Sequence, residues 1–302
     1  MEKTVACLKE ILGAEGLLEQ ESMALHTTFK TGGPADLFLM PETAQQLKET
    51  ISKLRQANIP YYILGNGSNL LAGDKGYRGA MIQLYSRMQK IQVSGEEIHV
   101  ECGALLSAVA AEAANASLEG FAFASGIPGT FGGAVVMNAG AYGGEMKDVL
   151  VSVDVLTKDL EVLSLPAEEL ELSYRHSIVP EKEYIVLGGV IRLKKGNQEK
   201  IREEMAELAK QRREKQPLQY PSAGSTFKRP QGYFAGKLIS DAGLKGRSVG
   251  GAQVSEKHAG FLVNKGGATT QDILDLIRIC QDTVWEQFGV KLETEVKFIG
   301  EQ

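Results

Sequence analysis

Apolar residues recur along the chain with two periods, and the switches between them outline its architecture. The opening MEKTVACLKEILGAEG sets acids among apolar residues as an amphipathic helix does. HTTFKTGGPADLFLMP predicts strands around a Gly-Gly turn. TAQQLKETISKLRQANIP repeats apolar positions at Leu47, Ile51 and Leu54 and stops at Asn58 and Pro60. With YYILGNGSNLL as a short buried strand entering a glycine loop, positions 36–64 predict a β-α-β unit. From Gly79 the period falls to two, in AMIQL and in KIQVSGEEIHVECG with its turn at Ser94-Gly95, before the alanine-rich helix ALLSAVAAEAANAS. Strands VLVSVDVLT and YIVLGGVIRL follow a glycine-rich stretch. NQEKIREEMAELAKQRREKQP predicts a charged helix with a thin apolar stripe at Ile201, Met205 and Leu208, a solvated edge that marks a boundary near residue 197. Beyond it, GAQVS and GFLVN predict strands. TTQDILDLIRICQDTVWEQFG predicts a helix capped by Thr270 and buried along Ile273, Ile277, Cys280, Val284 and Phe288, and KLETEVKFIG a closing strand. Helices and strands mix without regular alternation, so the fold class is α+β rather than a doubly wound sheet.

Composition narrows this outline. The chain has 302 residues, 43% hydrophobic and 24% charged, enough for two or three cores. No run of about 18 apolar residues suggests a membrane span, and the N-terminus lacks a secretory pattern. Cys7, Cys102 and Cys280 are odd in number and far apart, which points to a reducing cytoplasm and to buried small hydrophobes rather than a disulfide framework or zinc site. A net charge of −5 makes nucleic acid an unfavoured partner. No metal is expected, since His26, His99, His176 and His258 show no ligand spacing.

The candidate chemistry lies in glycine. GFAFASGIPGTFGGAVVMNAGAYGG, at 120–144, carries eight glycines with Phe121, Phe123 and Phe131 rather than the polar residues of a linker. Such a run predicts an ordered loop system that wraps a ligand. Familiar motifs almost match. GNGSNL lacks the third glycine of a dinucleotide fingerprint, GYFAGKLI is one residue short of a P-loop, and GRSVG fits a nucleophile-elbow formula without the strand and helix that should flank it. GNGSNLL and 120–144 can present successive backbone N–H groups, a concavity suited to phosphate. A nucleotide sugar and a flavin dinucleotide both remain open on these grounds.

GNGSNLL, GIPGTFGGAVVMNAGAYG, YRHS, GSTFKRP, AGKLISDAGLKG, GGAQVSEKHAGFLVN and LETEVKFIG, in this order, resemble the UDP-N-acetylenolpyruvoylglucosamine reductase family of bacterial peptidoglycan precursor synthesis. The resemblance runs from FKTGGPAD to FIG. It implies FAD bound in a fold like that of vanillyl-alcohol oxidase, NADPH as reductant, and the small molecule UDP-N-acetylenolpyruvoylglucosamine as oxidant. Two FAD-clasping subdomains are implied at 1–78 and 79–196 and a substrate domain at 197–293, with strand 294–302 returning to the first; a cytoplasmic monomer is expected. The resemblance places FAD against Gly65, Asn66, Gly67, Ser68 and Asn69, and against Gly126, Ile127, Pro128, Gly129, Thr130, Gly132, Gly133, Asn138, Gly140, Ala141 and Tyr142. It makes Ser225 the general acid, Arg175 the cation facing a developing enolate-like charge, and Glu295 its carboxyl partner in the site. By pattern alone these are a turn hydroxyl, a surface cation and one residue of a wet strand face.

Substrate contacts are expected from Tyr174, Lys228, Arg229, Lys237, Lys257 and His258. Arg229 stands where some members have Asn. The interval between YRHS and GSTFK has no room for a tyrosine-bearing insertion, which implies the compact subclass. Two other readings keep the same residues: another FAD oxidoreductase of this fold, and a nucleotide-sugar binding protein without flavin.

Overall fold

The computed structural model of the protein describes residues 2–85 and 87–302. The chain forms two compact units, each assembled from separated stretches: Met1–Leu18, Leu39–Asn66 and Met81–Arg212 in the first, and Glu19–Phe38, Gly67–Ala80 and Arg213–Gln302 in the second.

In the first unit an antiparallel sheet runs in the order Val162–Pro166, Leu150–Leu156, Ile185–Arg192, Glu97–Glu101, Ile91–Ser94. Its period-two pattern has the usual cause: Ile98 and Val100, Val153 and Val155 are buried, while His99 and Asp154 between them face water. Ser94 pairs with Glu97, and Gly95 takes the positive φ of +65° that this two-residue turn needs. On the central strand a Cβ at Gly189 would lie 3.1 Å from the Phe131 ring, so the missing side chain lets the glycine segment pack on the sheet. Helix Ala44–Gln56 begins at Thr43, whose hydroxyl accepts the Gln46 N–H at 3.1 Å, and it buries Leu47, Ile51 and Leu54 completely. Each such side chain stabilises the unit by about 1.5–3 kcal/mol.

In the second unit a sheet of Ser248–Val249, Ala252–Val254 and Leu262–Asn264 shares a core with helix Thr270–Phe288, through Val254 and Leu262 against Ile273, Leu276, Cys280 and Val284. The closing strand, Lys297–Ile299, pairs in parallel with Leu70–Ala72.

Several expectations change. The cap of the long helix is Thr269, in a reciprocal box with Asp272, while Thr270 is buried and donates its hydroxyl to the Ala72 carbonyl at 2.6 Å. Phe288 is 39% exposed, because the helix is in its last turn there. Residues 26–33 turn without forming a strand, since their main chain makes single bonds rather than a ladder, locally from Lys30 N–H to Thr27 O and at a distance from Thr28 N–H to Gly67 O. Cys7 is only half-buried; Cys102 and Cys280 are buried, and burial pushes both thiols up to about 12. Along the charged helix Gln198–Lys215 Ile201 is buried, while Met205 and Leu208 are half-buried.

Candidate functional site

The glycine segment is built before any ligand is considered. It contains a helix, Phe131–Val136, capped by Thr130. The Phe131 N–H donates to Ala104 O and the Gly132 N–H to Cys102 O, each at 2.8 Å, and the Gly133 N–H to Thr130 Oγ1 at 3.3 Å. The expectation that successive N–H groups here face a phosphate therefore fails at 131–133, because protein acceptors already hold them. The glycines act first as clearances. A Cβ on Gly65 would lie 2.6 Å from Thr130 Oγ1, one on Gly132 3.0 Å from Cys102 Cβ, and one on Gly140 2.7 Å from Gly144 O.

The asparagines expected at the cofactor act as braces. Asn66 donates its amide to Pro128 O at 2.7 Å, which ties Gly65-Asn66 to GIPGT within the first unit. Asn138 is 1% exposed, donates to Glu145 Oε2 at 2.7 Å and to Ser173 O at 3.0 Å, and accepts the Lys147 N–H at 3.0 Å. Its side-chain amide is engaged by protein at both ends. Ser177 Oγ donates to Val136 O at 2.8 Å. Between these braces Ser173 and His176 exchange main-chain bonds, and Arg175 stands at the tip of the turn with φ +55°. A non-glycine residue there is strained by about 1–2 kcal/mol, a conformation the braces impose. The Arg175 guanidinium lies 5.1 Å from the exposed Tyr174 ring centroid.

The remaining expected residues belong to the second unit. Gly67, at φ +60°, accepts the Thr28 N–H at 3.2 Å, and a Cβ on it would collide with the His26 carbonyl oxygen. Asn69 donates its amide to Glu295 O at 3.1 Å and accepts the Lys297 N–H at 3.0 Å. Glu295 donates its N–H to Thr226 O at 2.8 Å, and Phe227 bridges Thr294. Ser225, exposed, and Glu295, half-buried, are thus carried on adjoining chain segments. Regular strand begins only at Lys297, so Glu295 is not one residue of a continuous wet face.

Lys228 pairs with Glu293 at 3.5 Å, Lys237 with Asp241 at 2.7 Å, and Lys257 donates to the Arg213 carbonyl. Arg229 stacks 4.0 Å from the Phe234 ring centroid. Burial pushes the His258 imidazole below its ordinary value and Lys245 adds to this, so it is neutral at neutral pH, with Nδ1 accepting the Gly260 N–H at 3.1 Å. His258 is therefore a hydrogen-bonding group rather than a cation. Ser248 of GRSVG sits in a two-residue strand, not at a strand-to-helix elbow.

A family model for an FAD binding domain matches residues 35–165, and one for the UDP-N-acetylenolpyruvoylglucosamine reductase C-terminal domain matches 216–299. Proteins named UDP-N-acetylenolpyruvoylglucosamine reductase from Agathobacter rectalis and Caldanaerobacter subterraneus subsp. tengcongensis are each 55% identical over 98% of this chain, covering 98% and 97% of their own lengths. The chain belongs to the UDP-N-acetylenolpyruvoylglucosamine reductase family. The crystal structure of the family's Thermus caldophilus enzyme superposes with a TM-score of 0.81 at 39% identity, over 93% of this chain and 98% of that one. A berberine bridge enzyme variant in complex with (S)-reticuline, at 13% identity and TM-score 0.51 over 66% of this chain and 44% of that one, shares the fold alone.

As a reductase of this family the chain is an FAD-dependent oxidoreductase, with an FAD binding domain over residues 35–165. Its residues fit FAD. The Thr28 hydroxyl, beside Gly67, is buried without a hydrogen-bond partner among the described residues, a donor that suits a ligand oxygen. Sequence reasoning passed over Thr28, although FKTGG carried part of the family resemblance, and passed over Glu145, Ser173 and Ser177 as braces; spacing gives no sign of a hydrogen bond across 35 residues, as between Asn138 and Ser173.

Proposed function

We propose that this chain reduces UDP-N-acetylenolpyruvoylglucosamine to UDP-N-acetylmuramate with electrons from NADPH, a step of bacterial peptidoglycan precursor synthesis. The carrying observation is the Glu295 N–H bond to Thr226 O, which sets the Ser225 and Glu295 segments side by side in a chain of this family. FAD, when bound, would supply the hydride-carrying chemistry that links NADPH to the vinyl methylene carbon of the enolpyruvyl ether. Arg175 balances the negative charge that grows on the substrate carboxylate as the hydride adds, and Glu295 shares that site. The Ser225 hydroxyl then protonates the neighbouring carbon; a serine is a weak acid, so it acts by position and a proton relay. Gly65, Gly67, Ser68 and the chain from Gly126 to Tyr142 hold FAD. Lys228, Lys237, Lys257 and His258 are the candidates for the substrate diphosphate, with Tyr174 and Arg229 as further substrate contacts; the carboxylate partners of Lys228 and Lys237 lie at the surface and yield readily. The same reading places residues 1–78 and 79–196 around FAD and 197–293 around substrate, in a cytoplasmic monomer.

Purified protein incubated with NADPH and substrate should consume the two together and yield a product heavier than the substrate by two hydrogens, read by mass spectrometry. NADPH consumption that is the same with and without substrate would reject the reading.

A further inference from the structure

The glycine segment poses a charge problem that its own backbone does not solve. A diphosphate held there would expect N–H donors at the start of helix Phe131–Val136, but those of residues 131–133 are held by Ala104, Cys102 and Thr130. A cation within the same unit is placed against the segment instead. Arg212, in the last turn of helix Gln198–Lys215, lays its side chain over Gly126: a Cβ there would lie 3.1 Å from one guanidinium nitrogen and 3.2 Å from Cδ. One turn earlier on the same helix, Leu208 O accepts the Tyr142 hydroxyl at 3.5 Å. The helix therefore meets the segment at both ends, through positions four apart that share a face. A Cβ on Gly126 would press on the Arg212 side chain, which would have to give by a few tenths of an ångström. Desolvation lowers the Arg212 pKa, yet a guanidinium remains charged at any working pH, so a cation is held partly out of water where an anion suits it.

We infer that Arg212 is a further FAD-binding residue, which donates a charge-assisted hydrogen bond to an oxygen of the FAD diphosphate. This rests on the FAD reading of the segment but assigns a residue outside both glycine motifs, on a helix whose sequence reads as a solvated edge. Arg fits better than Lys because its planar fork can meet two oxygens of a diphosphate at once.

The test is fluorescence titration of deflavinated protein with FAD and, separately, with riboflavin, which has the ring but no phosphate. Arg212→Met should weaken FAD by roughly ten- to a hundredfold and leave riboflavin affinity as in the parent. Arg212→Lys should fall between. Gly126→Ala, which presses on the guanidinium while retaining it, should weaken FAD less than Arg212→Met does and leave riboflavin as in the parent. Unaltered far-ultraviolet circular dichroism and melting temperature separate this from misfolding. Unchanged FAD affinity, or equal weakening of FAD and riboflavin, overturns the assignment. If the parent protein binds neither flavin, the functional reading fails before Arg212 is tested.

Discussion

Residues 126–146 of the first unit and the paired segments 224–229 and 293–297 of the second are both expected to meet ligands, yet they are built in opposite ways. The first is closed on itself: its glycines clear neighbouring atoms, its asparagine is buried with both ends of the amide engaged, and its helix N–H groups have protein acceptors. The second fixes its main chain through Glu295, Thr226 and Lys228 while leaving the Ser225 side chain at the surface. On the proposed reading, the difference makes the surface assigned to the cofactor a self-braced scaffold whose residues act mostly through shape, and makes the assigned reacting groups side chains set on a hydrogen-bonded main chain. Substitutions in the first region should then act on stability and FAD affinity, and those in the second on rate.

The largest effect should come from Ser225→Ala, with substrate-dependent reoxidation of the reduced protein slowed by roughly 10²–10⁴-fold and reduction by NADPH nearly unchanged. Equal slowing of the two half-reactions, followed by stopped-flow absorbance, would dissolve the contrast between the regions. Arg175→Ala should slow the same reoxidation by about 10²–10³-fold, as loss of a fixed charge does; an unimpaired rate removes it from the site. Asn138→Ala should act through the scaffold. It removes the part-buried bonds of the buried Asn138 amide to the Lys147 N–H and the Ser173 carbonyl, so stability should fall by about 1–2 kcal/mol by urea titration, with Arg175-dependent reoxidation slowed as well. A stable variant with normal kinetics would show that the brace is idle.

The smallest effect belongs far from both regions. The Asp272 carboxylate accepts the N–H groups of Thr269 and Gly251, which hold its pKa below the usual carboxylate range. Because the folded value is the lower one, its contribution is present above the unfolded pKa of about 3.9 and fades as pH falls through it towards the folded value. Asp272→Asn should cost about 1 kcal/mol at pH near 7, and that difference should shrink below pH near 4. A difference independent of pH would place its cause elsewhere.

The fold was legible where period and burial coincide. Leu47, Ile51 and Leu54, and the hairpin at Ser94-Gly95, follow from side-chain spacing and one turn. It was illegible where tertiary bonds decide: Thr270 looks like a helix cap and instead reaches a carbonyl 198 positions away, and Phe288 looks buried but faces water. For the site, the glycines announced close approach but not to what, because a ligand and a neighbouring threonine leave the same mark on a sequence. Ser225, Arg175 and Glu295 carry no mark of their own, and only ordered family motifs single them out. Arg212 was hidden because its helix is charged on all but a thin stripe and holds several arginines, and only the space above Gly126 shows which of them turns inward.

The central claim is that one protein takes electrons from NADPH and releases them to an enolpyruvyl sugar nucleotide. Anaerobic stopped-flow absorbance of the FAD-loaded protein tests it most directly, with NADPH mixed first and UDP-N-acetylenolpyruvoylglucosamine second. The account predicts rapid bleaching of the flavin band and full recovery on the second mixing. Bleaching without recovery would contradict it, and would leave a flavoprotein of this fold whose oxidant is some other molecule.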